Sequence, residues 1–314
     1  MPHRPGPSGA GSPADVLAEE YASPALAALW SPHRQVVMER RLWLVVLRAQ
    51  HAEGIRVPAG VFAAYEEAVD RVDLASIARR ERVTRHDLKA RIEEFNALAG
   101  HEHIHKGLTS CDITDNIAQA RVRQSLEHLR ARSVDLAQGP EPAGRGGAGQ
   151  DRVPALRRAA ERLSVLLGRY PLRGLKGAVG TAQDLLHLLD GDRAALARIE
   201  RRVAAHLGFG RVLGSTGQVG PRSLDHEVLS TLAALVLPLG TDPPSAAPVA
   251  AVRRTRQCAV LVRGYAAMAA QLAGEQWNEG DVSCSVVRRV ALPGAFFATD
   301  AALTAFTDGP GAGL

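Results

Sequence analysis

At 314 residues the chain carries about two domains' worth of polypeptide, enough for one large core or two smaller ones. Its three cysteines, Cys111, Cys258 and Cys284, are odd in number and far apart, which excludes a disulfide scaffold, leaves no CxxC pair for zinc or redox work, and suits a reducing cytoplasm. The net charge of +5 is almost all arginine, because Lys89, Lys106 and Lys176 are the only lysines; without interleaved aromatics or a reader motif it argues against a nucleic-acid partner and leaves two readings, a solubilising charge or a small polyanionic ligand.

With 46% hydrophobic but only 4% aromatic residues, the core must be built from Ala, Leu and Val, a mixture that favours helices. Residues 1–15 (MPHRPGPSGAGSPAD) read as a disordered tail with no apolar secretory segment. Tyr21 to Trp30 is helical in period, and Ser31-Pro32 then supplies a cap and a first turn for a long helix ending at Gly54. A second helix is expected near Pro58, and a third from Thr84 as cap to Leu98. Another starts after Thr109-Ser110-Cys111-Asp112 and runs to Leu136.

Helix resumes at Pro154 to Gly168, at Thr181 to His206 as one element, and from Val252 to Gly274. Two Pro- and Gly-rich stretches, 138–150 and 240–250, read as flexible inserts. The longest apolar run, Leu229 to Gly240, falls short of the roughly 20 residues of a membrane span. No stretch alternates with period two for long. The expectation is therefore an all-α, elongated helical bundle that needs no membrane, with a helical domain over 16–108 and a central bundle over 109–306.

His101, His103 and His105 invite a metal hypothesis, but on a helix only 101 and 105 would share a face and no further ligand completes a shell, so no metal is expected. The phrase GLTSCD at a helix start places two hydroxyls and free backbone N–H groups where a carboxylate or phosphate could sit. Taken alone it reads as a helix cap.

Five segments in order, TRHDLKARIEEF (84–95), HIHKGLTSCDITDN (103–116), LKGAVGTAQDLL (175–186), TGQVGPRSLDHEVLS (216–230) and GEQWNEGDVSCSVVRRVALP (274–293), resemble adenylosuccinate lyase of the fumarase and argininosuccinate lyase superfamily. The resemblance implies a cofactor-free β-elimination. It would release fumarate from adenylosuccinate and from the succinyl-carboxamide ribotide of purine synthesis, in a cytoplasmic homotetramer whose sites are shared between subunits. By motif, Arg85, His86 and Asp87 look like the group that contacts the purine nucleotide, with His86 and His105 in supporting catalytic roles. Thr109 and Ser110 resemble the hydroxyls on the succinyl carboxylate, Gln218 and Arg222 a Gln-x-x-x-Arg substrate contact, and Ser285 and Arg289 a Ser-x-x-x-Arg phosphate contact, with Tyr21 as the surviving half of an Arg-Tyr pair that reads Glu20-Tyr21 here.

The chain departs from that pattern at the chemistry. The segment that carries the general-acid histidine in the family is QGPEPAGRGGAGQ here, and no histidine lies between His128 and His187. The mobile Ser-Ser-x-Met-Pro-x-Lys-x-Asn loop is replaced by DPPSAAPVAAVRRTRQC, where Ser245 is at best a remnant. The family's small C-terminal helical domain is expected to be absent. Impaired turnover follows as an expectation, with the alternative of a non-catalytic homologue that binds purine nucleotide or co-assembles with an intact lyase.

Overall fold

The computed structural model describes residues 16–138, 152–241, 249–274 and 284–307. Among these the elements are thirteen helices, and the nearest approach to a sheet is an isolated bridge between Leu172 and Val212. The helices are α1 Val16–Glu20, α2 Pro24–Trp30, α3 Pro32–Ala52, α4 Val61–Ala68, α5 Leu74–Thr84, α6 Asp87–Ala99, α7 Ser110–Gln138, α8 Arg152–Arg169, α9 Gln183–Leu188, α10 Arg193–His206, α11 Ser223–Thr241, α12 Val249–Leu272 and α13 Ser285–Thr307. The all-α expectation holds. The expected tail over 1–15 and Ser245 lie outside the described residues, as do most of both expected inserts.

Local chemistry explains most boundaries. Ser31 caps α3 by accepting from the Arg34 N–H, and Pro32 occupies the first turn. Gly54 leaves α3 with φ +99°. At 29 residues α7 is the longest element, about 43 Å at a rise of 1.5 Å per residue. It packs against α2, α3, α8 and α13, while α11, α12 and α13 lie along one another and α8 closes against α11. One continuous apolar cluster runs through these contacts from Leu26 to Leu303, mostly Leu, Val and Ala, with Trp43, Tyr65, Phe95, Phe296 and Phe297 as its largest apolar members.

Several expected boundaries move. Thr84 does not cap the third expected helix: it ends α5, and the His86 ring caps α6 by accepting from the Lys89 N–H at 3.2 Å. The element near Pro58 begins only at Val61, after Gly60 in the left-handed region. Thr181 to His206 is two helices, because Asp190 and Gly191 turn the chain with φ +50° and +85° and Asp192 caps a fresh start. Helix also continues through Gln138 and, past Pro238, to Thr241, so the expected inserts start late. Pro238 removes one ladder hydrogen bond, which a helix buried along Val228, Leu232, Leu235 and Leu239 tolerates.

Gly180 joins the 174–182 loop to the 214–220 loop. Its φ is +80°, and a Cβ there would stand 2.0 Å from the Thr216 carbonyl oxygen. Gly180→Ala therefore meets both a backbone penalty and a clash, and it is expected to cost about 2 kcal/mol or more. Urea unfolding checks this; an unchanged midpoint would contradict the tight loop crossing.

Candidate functional site

The first three turns of α7 carry polar residues where a core helix would carry apolar ones. Asp112, Asp115, Asn116 and Gln119 recur at helical spacing and are buried. Each finds its partners in loops far away in sequence. Asp112 Oδ1 accepts from Arg173 Nη1 at 2.6 Å and from the N–H groups of Lys176 and Gly177 at 2.9 and 3.1 Å, while its Oδ2 accepts from the Thr109 N–H at 2.9 Å. Asn116 exchanges two hydrogen bonds of 2.9 Å with the backbone of Gly174, and Gln119 accepts from the Arg173 N–H at 2.7 Å.

Arg173, fully buried, carries the tie onward. Its Nη2 donates to the carbonyls of Gly177, Gly217 and Gln218. Asp115 completes the fan: it accepts from the Gly220 N–H at 2.8 Å and from Arg288 Nη1 at 3.2 Å, with Arg222 Nη1 at 3.7 Å. Arg288 also donates to Asp225 at 2.5 Å. The Asp115 carboxyl is held below the usual carboxylate range; burial works to raise it, and Arg288, Arg222 and the Gly220 N–H outweigh burial. Four of the five signature segments thus meet on one helix end.

A corner exposed to solvent stands beside this core. The 101–109 loop is pinned from α3, where Trp43 Nε1 donates to His105 Nδ1 at 3.1 Å and Gln50 Nε2 donates to the Lys106 carbonyl at 2.9 Å. Gly107 is required there, with φ +71° and backbone of Leu185 at 2.9 Å from any Cβ. His105 itself has φ +66°, and Arg85 has φ +54°. Two of the four non-glycine residues in the left-handed region among the described residues are therefore site candidates, each a local strain held by its surroundings.

Trp43 can only donate, so Nδ1 of His105 is an acceptor and the proton of the neutral ring sits on Nε2. Burial pushes this histidine down to about 4; Asp112 opposes the shift, and His86 and Lys106 add to it. Nδ1 of His86 is also an acceptor, here of the Lys89 N–H in the α6 cap. Both rings thus present Nε2–H donors.

Asp87 links this corner to α13. Its Oδ2 accepts from Arg91 at 2.9 Å and stands 3.5 Å from Arg289 Nη2, a contact between residues 202 positions apart. Arg85, Lys89, Lys106 and Arg289 are exposed around it, and Ser285, Thr109 and Ser110 are half-buried. Arg222 takes another position. It is buried, with Nε donating to Cys284 Sγ at 3.1 Å and a guanidinium nitrogen facing Asp115. Gln218 touches the network through its carbonyl.

Tyr21 stands apart. Its ring lies 5.2 Å from the Arg254 guanidinium of α12, and the neighbouring Ser23 N–H donates to Asp300 at 2.8 Å. Asp300 is eleven residues beyond Arg289 on α13, about 16 Å along the helix. The three expected histidines are in a loop rather than on a helix, and among the described residues no group of three His, Cys, Asp or Glu side chains could hold a metal ion. Sequence reasoning missed Asp115, Asn116, Arg173 and Arg288. For Asp115 and Asn116 the available signal was the polar stripe at i, i+3, i+4 and i+7 on α7; Arg173 and Arg288 lie off that helix and carried no such signal.

Comparison with known proteins gives the fold first. The chain superposes on the crystal structure of a fumarate lyase from Mesorhizobium sp. with a TM-score of 0.74 at 20% identity, covering 91% of this chain and 74% of that one. It also superposes on 3-carboxy-cis,cis-muconate lactonizing enzyme from Pseudomonas putida, with a TM-score of 0.75 at 17% identity over 93% and 75% of the two chains. In sequence, the chain is 28% identical to adenylosuccinate lyase of Schistosoma mansoni and 26% identical to that of Saccharomyces cerevisiae, each time over 92% of this chain and 70% of the relative. No protein-family model matches the chain. Among the described residues no helix is long and apolar enough to cross a membrane.

The His105 environment makes a solution prediction. Its imidazole should titrate near pH 4 by nuclear magnetic resonance, with Nδ1 as the unprotonated nitrogen of the neutral ring. Because the folded value lies below the unfolded 6.5, the unfolded chain binds more protons between about pH 4 and 6.5. The contribution to stability is then complete above pH 6.5 and is lost as pH falls through that window. A midpoint at or above 6.5 would contradict the buried, Trp43-bonded ring.

Proposed function

We propose that this chain binds adenylosuccinate and the related succinyl-carboxamide ribotide in the manner of adenylosuccinate lyase, and that it cleaves them to fumarate with impaired turnover. The reading has support from the named relatives at 26–28% identity. The observation that carries it is the contact of Asp87 with Arg289 of α13 at 3.5 Å beside the exposed Arg85 and His86, with His105 close enough to His86 to feel its charge. A substrate with one phosphate and two carboxylates needs such a set: guanidinium and ammonium groups, hydroxyls, and neutral imidazole N–H donors.

The elimination needs more than donors. A base must remove a proton from the carbon beside a carboxylate, donors must stabilise the aci-carboxylate that forms, and an acid must protonate the departing nitrogen. His86 and His105 both engage Nδ1 as an acceptor, so as neutral rings they suit the middle task, stabilising an anion through Nε2–H. Neither offers a free ring nitrogen as base. The sequence lacks the family's acid histidine segment and its serine loop, and each such proton-transfer group is worth about 10²- to 10⁴-fold. No metal or organic cofactor enters the scheme, since all the charge stabilisation comes from side chains.

The same lack of base and acid favours one second reading, a non-catalytic homologue that binds purine nucleotide or joins tetramers with an intact lyase. Tyr21 packs on Arg254 of α12 rather than joining the contacts of Asp87, and on this reading a neighbouring subunit completes the site in a homotetramer.

An absorbance assay of adenylosuccinate cleavage, paired with calorimetric titration of AMP, tests both. The expected outcome is AMP binding weakened about tenfold by Arg289→Ala, with turnover at least about 100-fold below that of an intact relative and lost in His105→Ala. Binding with no turnover selects the second reading. No AMP binding, or turnover equal to an intact relative, would overturn the proposal.

A further inference from the structure

Behind the Asp87 corner runs a chain of charged groups that the reaction scheme does not use. Arg121 on α7 has its guanidinium 4.3 Å from the Trp30 ring centroid and donates to Gln35 Oε1 at 2.9 Å. Gln35 donates from Nε2 to Glu39 Oε1 at 3.0 Å, and the same oxygen accepts from Arg91 Nη1 at 2.5 Å. The other nitrogen of Arg91 donates to Asp87 Oδ2, which faces Arg289. Side-chain exposure grades outward along the chain, from 0% at Glu39 through 13% at Arg91 and 30% at Asp87 to 75% at Arg289.

Stability alone does not account for this arrangement. An i,i+4 pair such as Asp87 and Arg91 contributes little by itself, and an exposed contact such as Arg289 to Asp87 contributes less. Glu39 is costly: it is completely buried, its Oε2 has no hydrogen-bond partner, and burial pushes its carboxyl up against the pull of Arg91. A Leu or Met at that position would avoid the desolvation. What the buried carboxylate does supply is direction. It grips one nitrogen of a planar guanidinium, so the other nitrogen can meet Asp87 in only one orientation.

We propose that Glu39 and Arg91 are positioning residues that set Asp87, and through it the α6 cap and Arg289, in the geometry that receives the nucleotide. The inference rests on the function proposed above. Arg91, itself on α6, touches Glu39 of α3 and Asp87 at the start of its own helix, and Asp87 in turn meets Arg289 in the first two turns of α13. Asp87 Oδ1 meanwhile accepts from the Leu88 N–H at 2.7 Å and stands 3.7 Å from His86 Nδ1. Turning Asp87 therefore disturbs the cap that fixes the His86 ring.

The test uses the full chain with Arg91→Met, Arg91→Lys and Glu39→Gln, reading AMP affinity, thermal midpoint, and hydrogen exchange at Leu88 and Lys89. Arg91→Met and Glu39→Gln should raise the AMP Kd, and the adenylosuccinate KM, about tenfold with little change in kcat. Arg91→Lys should recover part of the loss, because an ammonium reaches only one of the two carboxylates well. The thermal midpoint of Glu39→Gln should stay within about 3 °C of the parent chain, a change below roughly 1 kcal/mol, whereas Arg91→Met lowers it further because it strands the buried Glu39 carboxylate. Exchange at Leu88 and Lys89 should quicken about twofold or more, including in Glu39→Gln, although Glu39 touches neither amide.

A lowered midpoint with AMP affinity, KM and amide exchange unchanged would mean a purely structural ion pair and would overturn the inference. If the parent chain binds no AMP, the functional proposal fails, and the Leu88 and Lys89 amides still decide whether Glu39 acts through Arg91 on Asp87.

Discussion

The contact between Asp112 and Arg173 carries the rest of the structure. Both side chains are buried, and a charge left alone there would be worth several kcal/mol of destabilisation. The pair is therefore satisfied completely at Asp112, whose oxygens accept four N–H groups, and it gathers the 173–177 and 217–218 loops onto the first turn of α7. Without that knot, the 109–112 turn that opens α7, the loop carrying Gly180 and the strand of chain holding Gln218 would have no common reference point. Asp115, Asn116 and Gln119 repeat the device one and two turns further along, and Arg288 brings α13 into it.

The corner beside that knot is charged toward solvent and held from behind. His105 and His86 differ in burial and in partner, one bonded by Trp43 and one capping α6. Each ends with the same chemistry on offer, an imidazole N–H that can bind or stabilise an anion. A site of that kind can hold a polyanionic substrate and ease the charge that builds on a carboxylate. It cannot by itself move the two protons an elimination requires. The distinction follows from which ring nitrogen each neighbour occupies.

Fold class was legible because the Leu, Ala and Val pattern repeats at helical period throughout, with caps such as Ser31 and breaks such as Gly54. Boundaries failed where a signal was ambiguous. Thr84 looks like a cap, but a histidine two residues later does the capping. Pro238 looks like a terminator, yet the apolar face around it is buried and the helix continues. The site was legible mainly through segments that resemble a known family; periodicity and composition indicated only caps and surface ion pairs. Arg222 and Tyr21 illustrate the limit. A sequence cannot say that a guanidinium faces inward to Asp115, or that Tyr21 packs on Arg254 of α12.

That the buried pair of Asp112 on α7 and Arg173 in the loop after α8 organises the candidate site is open to a double-mutant cycle on unfolding free energy with Asp112→Asn, Arg173→Met and both together. The account predicts about 3–5 kcal/mol lost in each single variant, because each strands a buried partner, and a double variant no less stable than the worse single. Strictly additive losses would mean that the two side chains act independently, and the account would be wrong.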